Sequence, residues 1–218
     1  MFVPGSGWHV GPALVQSASG LPRLVTCACG TKPVIRQRQK VVPRATGTVL
    51  EFGIGAGHNL PHYMPEQVDK VIGIDPCSTS WDLASQRASA ASVDVEFIQA
   101  SAEDIPLENN SVDSVLITFT LCTVPNPQAA LAEARRTLKP SGKLYFCEHG
   151  IAPDESVAKW QRRINPVWKR VFGGCNITRD TRELLREAGF TVDAVEQMYL
   201  PGTPSIAGFN TWGDASIA

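Results

Sequence analysis

The chain has 218 residues, a net charge of −1 and 19% charged residues, so no excess of either sign draws it to nucleic acid or to an anionic membrane. Its length suits one large domain with a single core, burying roughly 70% of the surface its unfolded chain exposes. No run of about 18 apolar residues is present to span a bilayer, and no basic start precedes a continuous apolar stretch. The expectation is a cytoplasmic protein without a transmembrane segment, with peripheral membrane contact and oligomeric state left open. Six cysteines, at 27, 29, 77, 122, 147 and 175, are expected as reduced thiols: Cys27-Ala28-Cys29 lacks the C-x-x-C spacing of structural zinc sites.

Residues 1–44 hold several glycines and prolines and then Arg36-Gln37-Arg38-Gln39-Lys40, which is expected to form a helical arm over the ligand cleft. From residue 45 to 218, short apolar runs alternate with helical stretches, the pattern of an α/β domain with a parallel sheet and crossover helices. Strands are expected at 48–53, 70–75, 94–99, 112–119 and 142–148. Helices are expected at about 57–62, 78–91 and 126–138, the last with Pro127 near its start and Lys139-Pro140-Ser141-Gly142 closing it. Residues 150–176 then form a crossover too long for an ordinary α/β unit. They carry Trp160, Trp168 and Phe172 among Arg162, Arg163, Lys169 and Arg170, the composition of an amphipathic helix that either docks by its aromatic face or serves as a substrate lid. A last helix near 180–188 ends at Gly189, and Phe190 to Glu196 alternates as an antiparallel edge pair would.

The chemistry concentrates in Val49-Leu50-Glu51-Phe52-Gly53-Ile54-Gly55-Ala56-Gly57 and in Asp75, which ends the next apolar run. A strand, a glycine turn and a second strand ending in an acid about 20 residues on is how α/β folds hold a ribose. The position of the third glycine of a dinucleotide fingerprint is taken here by His58, which argues against a nicotinamide-dependent oxidoreductase. Glu51, two residues before the first glycine, would repel a phosphate and favours a cationic ligand.

This E-x-G-x-G-x-G resembles motif I of the class I methyltransferases. Ser101-Ala102-Glu103-Asp104-Ile105-Pro106-Leu107 is similar to the family's adenine-side loop, and Ser111 to Leu116 to its fourth strand. Leu131 to Leu144 is similar to the helix and turn before the fifth strand of ubiquinone-type methyltransferases. The resemblance implies a mostly parallel, seven-stranded Rossmann-like sheet with helices on both faces and an antiparallel C-terminal strand. It implies S-adenosyl-L-methionine as cofactor and S-adenosyl-L-homocysteine as product. Glu51, Gly53, Gly55, Gly57, Asp75, Pro76, Ser101, Ala102, Glu103, Thr118 and Thr120 would then line the cofactor site. Leu121-Cys122-Thr123-Val124, Phe146-Cys147-Glu148-His149-Gly150 and Gly173-Gly174-Cys175-Asn176-Ile177-Thr178-Arg179 resemble the methyltransferase-like 7 group, which in animals includes thiol S-methyltransferases acting on small alkyl thiols. Animal members carry a long apolar N-terminal anchor, and residues 1–30 here contain no comparable stretch, so membrane attachment is not carried over.

Methyl transfer needs positioning more than acid-base machinery, because the sulfonium is already activated. A thiol acceptor reacts as its thiolate, so a base or positive field that lowers a pKa near about 8.5 assists. His149, with Glu148, is the catalytic candidate, lying at the C-terminal end of the fifth strand where open α/β sheets bind ligands. Cys122, Trp160, Cys175, Asn176 and Arg179 are the candidate substrate-pocket residues. No metal is expected: His9, His58, His62 and His149 show no ligand spacing except the i, i+4 pair His58 and His62, which Pro61 interrupts. The expected activity is transfer of a methyl group to a small apolar acceptor, preferably a thiol. The alternatives are an N-, O- or C-methyltransferase of a lipid or quinone, and a cofactor-binding protein without transfer activity.

Overall fold

The structure, a computed structural model, describes residues 29–218. The parts of the expected arm before residue 29, with His9 and Cys27, lie outside the described residues. The described part of the arm contains helix α1 (Lys32–Val41), with Pro33 in its first turn where a missing N–H costs nothing.

Seven strands form one sheet in the order β3-β2-β1-β4-β5-β7-β6. They are β1 (Gly47–Phe52), β2 (Val68–Ile74), β3 (Asp94–Ile98), β4 (Val112–Thr118), β5 (Leu138–His149), β6 (Phe190–Tyr199) and β7 (Phe209–Ile217). The first five run parallel, and β7 pairs antiparallel with both β5 and β6. Helices α2 (Ser78–Ser89), α3 (Pro127–Thr137), α4 (Glu155–Val171), α5 (Thr181–Glu187) and the short α6 (Ser205–Gly208) complete the chain. The strand order reverses between β1 and β4, which opens a crevice at their C-terminal ends.

The central strands are apolar because both their faces are covered. Leu50 and Phe52 of β1 face one core layer with Val115, Ile117, Leu144 and Phe146, closed by Leu131 and Ala134 of α3 and Leu185 of α5. Val49 faces the other layer with Val71, Leu116, Tyr145 and Trp212, closed by Val41 of α1. The period-two alternation of strand side chains places Glu51 on the Val49 side, beneath the arm.

Two local expectations are corrected. The helix expected at about 57–62 is a single 3-10 turn, Leu60–His62, because Pro61 sits in its first turn and the glycines before it take left-handed φ values that no helix continues. His58 and His62 therefore share no helix face. Lys139 to Gly142, expected as the turn closing α3, belong to β5 as an irregularity: Leu138 pairs with Val112 and Lys143 with Ser114, so the four residues between them bulge out of register.

Candidate active site

Gly53, Gly55 and Gly57 follow β1 with φ of +64°, +51° and +69°, the left-handed region that only glycine enters without strain. A Cβ on Gly53 would lie 2.6 Å from Thr120 Oγ1, whereas one on Gly55 would meet nothing nearer than Gly53 O at 3.7 Å. Gly53 is thus required by packing, and Gly55 by the space left open beside the loop. Asp75, just beyond β2, accepts from the backbone N–H of Gly55 at 3.1 Å through Oδ2 and from that of Cys77 at 2.8 Å through Oδ1. Each carboxylate oxygen keeps a lone pair for a further donor. Two vicinal ribose hydroxyls fit that pair, and an open glycine cradle fits the rest of a nucleoside. Pro76 follows directly, and Ser101, Ala102 and Glu103 form the turn beyond β3, where Ser101 O accepts from the Asp104 N–H and Ser101 Oγ from the Glu103 N–H. Glu103 Oε1 also accepts from the Asn126 N–H ahead of α3.

Glu51 is 1% exposed, and its carboxylate does not face the crevice freely. Oε1 accepts from Asn59 Nδ2 at 2.9 Å and Oε2 from the Tyr63 hydroxyl at 2.6 Å. Burial pushes its pKa up to about 7, against the opposing pull of Tyr63, Arg38 and Asn59. Thr118 and Thr120 are likewise committed to the protein. Thr118 Oγ1 accepts from Arg38 Nη1 at 2.6 Å and from Asn59 Nδ2 at 2.9 Å, and Thr120 Oγ1 donates to Phe52 O at 3.0 Å. The three side chains thus tie the ends of β1 and β4 to α1 and to the loop after β1.

Sequence reasoning missed Arg38, Asn59 and Tyr63 as members of this network. Arg38 is 5% exposed and reaches from α1 to the end of β4, bonding Asn59 Oδ1 at 2.9 Å and lying 5.1 Å from the Phe119 ring centroid. The one signal in the sequence is the run Arg36-Gln37-Arg38-Gln39-Lys40 in the helical arm expected over the cleft. Phe119 itself has φ +54°, an uncommon conformation for a side chain of that size, and it directly follows β4, packed against the Val49-side core layer.

Beyond the tips of β4 and β5 the structure gathers three of the expected substrate-pocket and catalytic residues, Cys122, His149 and Cys175. His149 Nε2 lies 2.9 Å from Cys175 Sγ, and its ring packs edge-on to Phe119 with centroids 6.1 Å apart. The side-chain ligand atoms of Cys122, His149 and Cys175 all fall within 4.8 Å of one another. Cys122, Cys175 and Ile177 are buried against Ile164, Trp168 and Phe172 of the insertion. Trp168 Nε1 donates to Cys175 Sγ at 3.3 Å. The hydrogen bond from Cys122, with those from His149 and Trp168, holds the Cys175 thiol far below its ordinary range despite burial, while Cys122 is driven up. Burial pulls the His149 imidazole down, but the bond to Cys175 and the charges of Cys175 and Glu148 outweigh it and raise its pKa.

Glu148 is 1% exposed, and its Oε1 accepts from the backbone N–H groups of Thr120 and Leu121 at 2.6 and 3.0 Å. It fixes the loop after β4, while its other oxygen has no hydrogen-bond partner among the described residues. Burial raises its pKa. Arg179 donates to Leu121 O and to Val124 O, tying the insertion to the same loop. Asn176 donates its N–H to Cys122 O at 2.8 Å, and its side chain accepts from the Thr178 N–H and from Asn165 Nδ2. Both residues hold the cluster in place.

Trp160 shares a groove with Ile164, Trp168 and Phe172, which wall this group. It is 60% exposed on α4, where it lines an open apolar groove of about 390 Å³ with Arg163, Ile164, Val167 and Val171. Gln161, unremarked in the sequence, does the anchoring: fully buried, it accepts from the Ala152 N–H at 2.8 Å and donates to Gly150 O and Ile206 O at 3.0 Å each. No helix among the described residues is long and apolar enough to cross a membrane.

Comparison with known proteins agrees with this geometry. Residues 50–146 match the methyltransferase domain family. The chain is 35% identical over 171 residues to thiol S-methyltransferase TMT1B of Rattus norvegicus, spanning 74% of this chain and 69% of the relative. It is 31% identical over 162 residues to thiol S-methyltransferase TMT1A of Homo sapiens, spanning 73% and 66%. A solved S-adenosylmethionine-dependent methyltransferase from Aquifex aeolicus superposes with a TM-score of 0.60 at 19% identity, covering 90% of this chain and 98% of that one, a likeness of fold. The glycine cradle, the spare acceptors of Asp75 and the reversal of strand order at the crevice therefore belong to an enzyme of known type, and the chain is a member of the class I methyltransferase family that uses S-adenosylmethionine as cofactor.

Proposed function

We propose that the chain moves a methyl group to the sulfur of a small apolar thiol. The observation that carries this reading is the Cys122, His149 and Cys175 cluster, which lies beside Phe119 at the tip of β4 and within an apolar wall of Ile164, Trp168, Phe172 and Ile177. A soft, ionisable group in an apolar recess suits a sulfur nucleophile, and the similarity to thiol S-methyltransferases supports the same acceptor.

Asp75 would hold the ribose, the Ser101 to Glu103 turn the base, and the Gly53 to Gly57 loop the nucleoside body. The bound cofactor supplies an electrophilic methyl group on a positively charged sulfur. Glu51 lies below this site and, when ionised, contributes a field that favours a cation. Glu148 positions the Thr120 and Leu121 backbone, and with it the strained Phe119, against which the acceptor is oriented. The insertion excludes water and keeps the acceptor in line. The acceptor's sulfur is placed at the cysteine and histidine cluster when it loses its proton.

The test is incubation with S-adenosylmethionine and a panel of small thiols, amines, phenols, a quinol and a phospholipid, reading S-adenosylhomocysteine and the mass of each acceptor. Methylation confined to thiols is the expected outcome. Turnover only on the quinol, an amine or a lipid would overturn the acceptor while keeping the enzyme class.

A further inference from the structure

We propose that Cys122, His149 and Cys175 bind a zinc ion, and that the open fourth position of that ion takes the sulfur of the methyl acceptor. The inference rests on the thiol reading above and deepens it. Three ligating atoms within 4.8 Å of one another need only small side-chain adjustments to surround an ion with Zn–S bonds near about 2.3 Å and a Zn–N bond near about 2.0 Å. Two cysteines and one histidine form a known three-ligand set for zinc sites that keep one position for substrate.

The three residues come from separate segments, the loop after β4, the end of β5 and the loop after α4, which is why sequence spacing alone does not announce a metal site. Each segment is fastened independently. Glu148 holds the backbone next to Cys122, Asn176 N–H bonds to Cys122 O, and Arg179 clamps Leu121 O and Val124 O. Trp168 donates to Cys175 Sγ, as outer hydrogen bonds do for thiolates that bind metals.

Charge balance points the same way. Two thiolates and a neutral imidazole cancel the charge of a divalent ion, so the assembly can stand in a recess where Cys122 and Cys175 are almost fully buried. An added acceptor thiolate makes the group anionic, and the positive sulfonium opposite it restores neutrality. The acceptor binds as R–SH and loses its proton to water as its sulfur coordinates, since a metal-bound thiol is deprotonated outright. A lone pair of that sulfur then forms the new S–C bond as the bond between the methyl carbon and the sulfonium breaks. The electron pair of the broken bond leaves with the adenosylhomocysteine sulfur, which becomes a neutral thioether.

The full chain, purified under reducing conditions from zinc-supplemented medium, is assayed for metal content and then exchanged with cobalt(II). A stoichiometric zinc is expected, lost in Cys122→Ser and Cys175→Ser and kept in Cys77→Ser. The cobalt protein is expected to show thiolate charge-transfer absorption and tetrahedral ligand-field bands that shift when a small alkanethiol is added. If the serine variants do not fold, the wild-type metal content and cobalt spectrum decide the matter. Metal-free protein that methylates thiols at the full rate, unchanged by added zinc, overturns the zinc site and leaves the thiol acceptor standing. Bound zinc with a cobalt spectrum indifferent to thiols overturns the acceptor role, and zinc with methylation only of other acceptors overturns the thiol reading itself.

Discussion

Asp75→Ala is expected to weaken binding of S-adenosylhomocysteine by about two to four orders of magnitude. An ionised carboxylate offers about four lone-pair positions. In this structure Gly55 N–H and Cys77 N–H take one on each oxygen, which leaves one on each for the two ribose hydroxyls. A hydrogen bond to a charged acceptor contributes about 1.5–3 kcal/mol, so the pair amounts to about 3–6 kcal/mol. At about 1.4 kcal/mol per decade this is ~10² to ~10⁴ in Kd. Alanine also strands the two loop N–H groups, so part of the loss falls on loop order; Asp75→Asn keeps the shape and one acceptor oxygen and is expected to lie between wild type and alanine. Isothermal titration calorimetry on the three proteins measures the affinities, and thermal melting without ligand confirms that each is folded. A folded Asp75→Ala protein that binds within about threefold of wild type, under about 1 kcal/mol, would refute the assignment of the ribose to this carboxylate.

Three further outcomes follow from the same network. Burial raises the Glu51 pKa to about 7 in the folded state, above its ordinary 4.5, so the folded chain keeps a proton that the unfolded chain releases between those values. Stability of the cofactor-free protein should therefore fall by up to about 3 kcal/mol as pH rises through this window, while affinity for the cationic cofactor increases; urea unfolding against pH should show the slope, and Glu51→Gln should flatten it. Gly53→Ala combines φ +64° with a contact of 2.6 Å to Thr120 Oγ1, whereas Gly202→Ala, at φ +73° with nothing within 4 Å among the described residues, carries the backbone cost alone. Chemical denaturation should place Gly202→Ala about 1–2 kcal/mol below wild type and Gly53→Ala clearly lower, with cofactor binding impaired only in the latter. Gln161→Leu leaves the Ala152 N–H and the Gly150 and Ile206 carbonyls without their buried partner, and should cost about 2–4 kcal/mol in urea unfolding while sparing S-adenosylhomocysteine affinity.

The strand and glycine pattern was legible because it is local. A run such as Val49-Leu50-Glu51-Phe52 must alternate between the two faces of a pleat whatever surrounds it, and three glycines at alternate positions admit a backbone that other residues resist. Asp75 was legible for the same reason, its distance from the loop being set by one β-turn-β excursion. The expected helix after the glycine loop was not formed, since Pro61 and the left-handed glycines outweighed the crossover pattern.

What tertiary structure alone decided is which side chains meet across long stretches of chain. Arg38 bonds to Thr118 across 80 residues, and Glu148 serves a loop 27 and 28 residues before it. Cys122 and His149 come together only because β4 and β5 are hydrogen-bonded neighbours with parallel ends, and Cys175 joins them because Arg179, Asn176 and Gln161 fold the insertion back over those ends. By itself the sequence determined a parallel sheet, a nucleoside-binding edge and the residue types placed along it. The partners of Glu51, the exposure of Trp160 and the gathering of two thiols around one imidazole depend on distances between segments, which sheet order and side-chain packing set and no local pattern records.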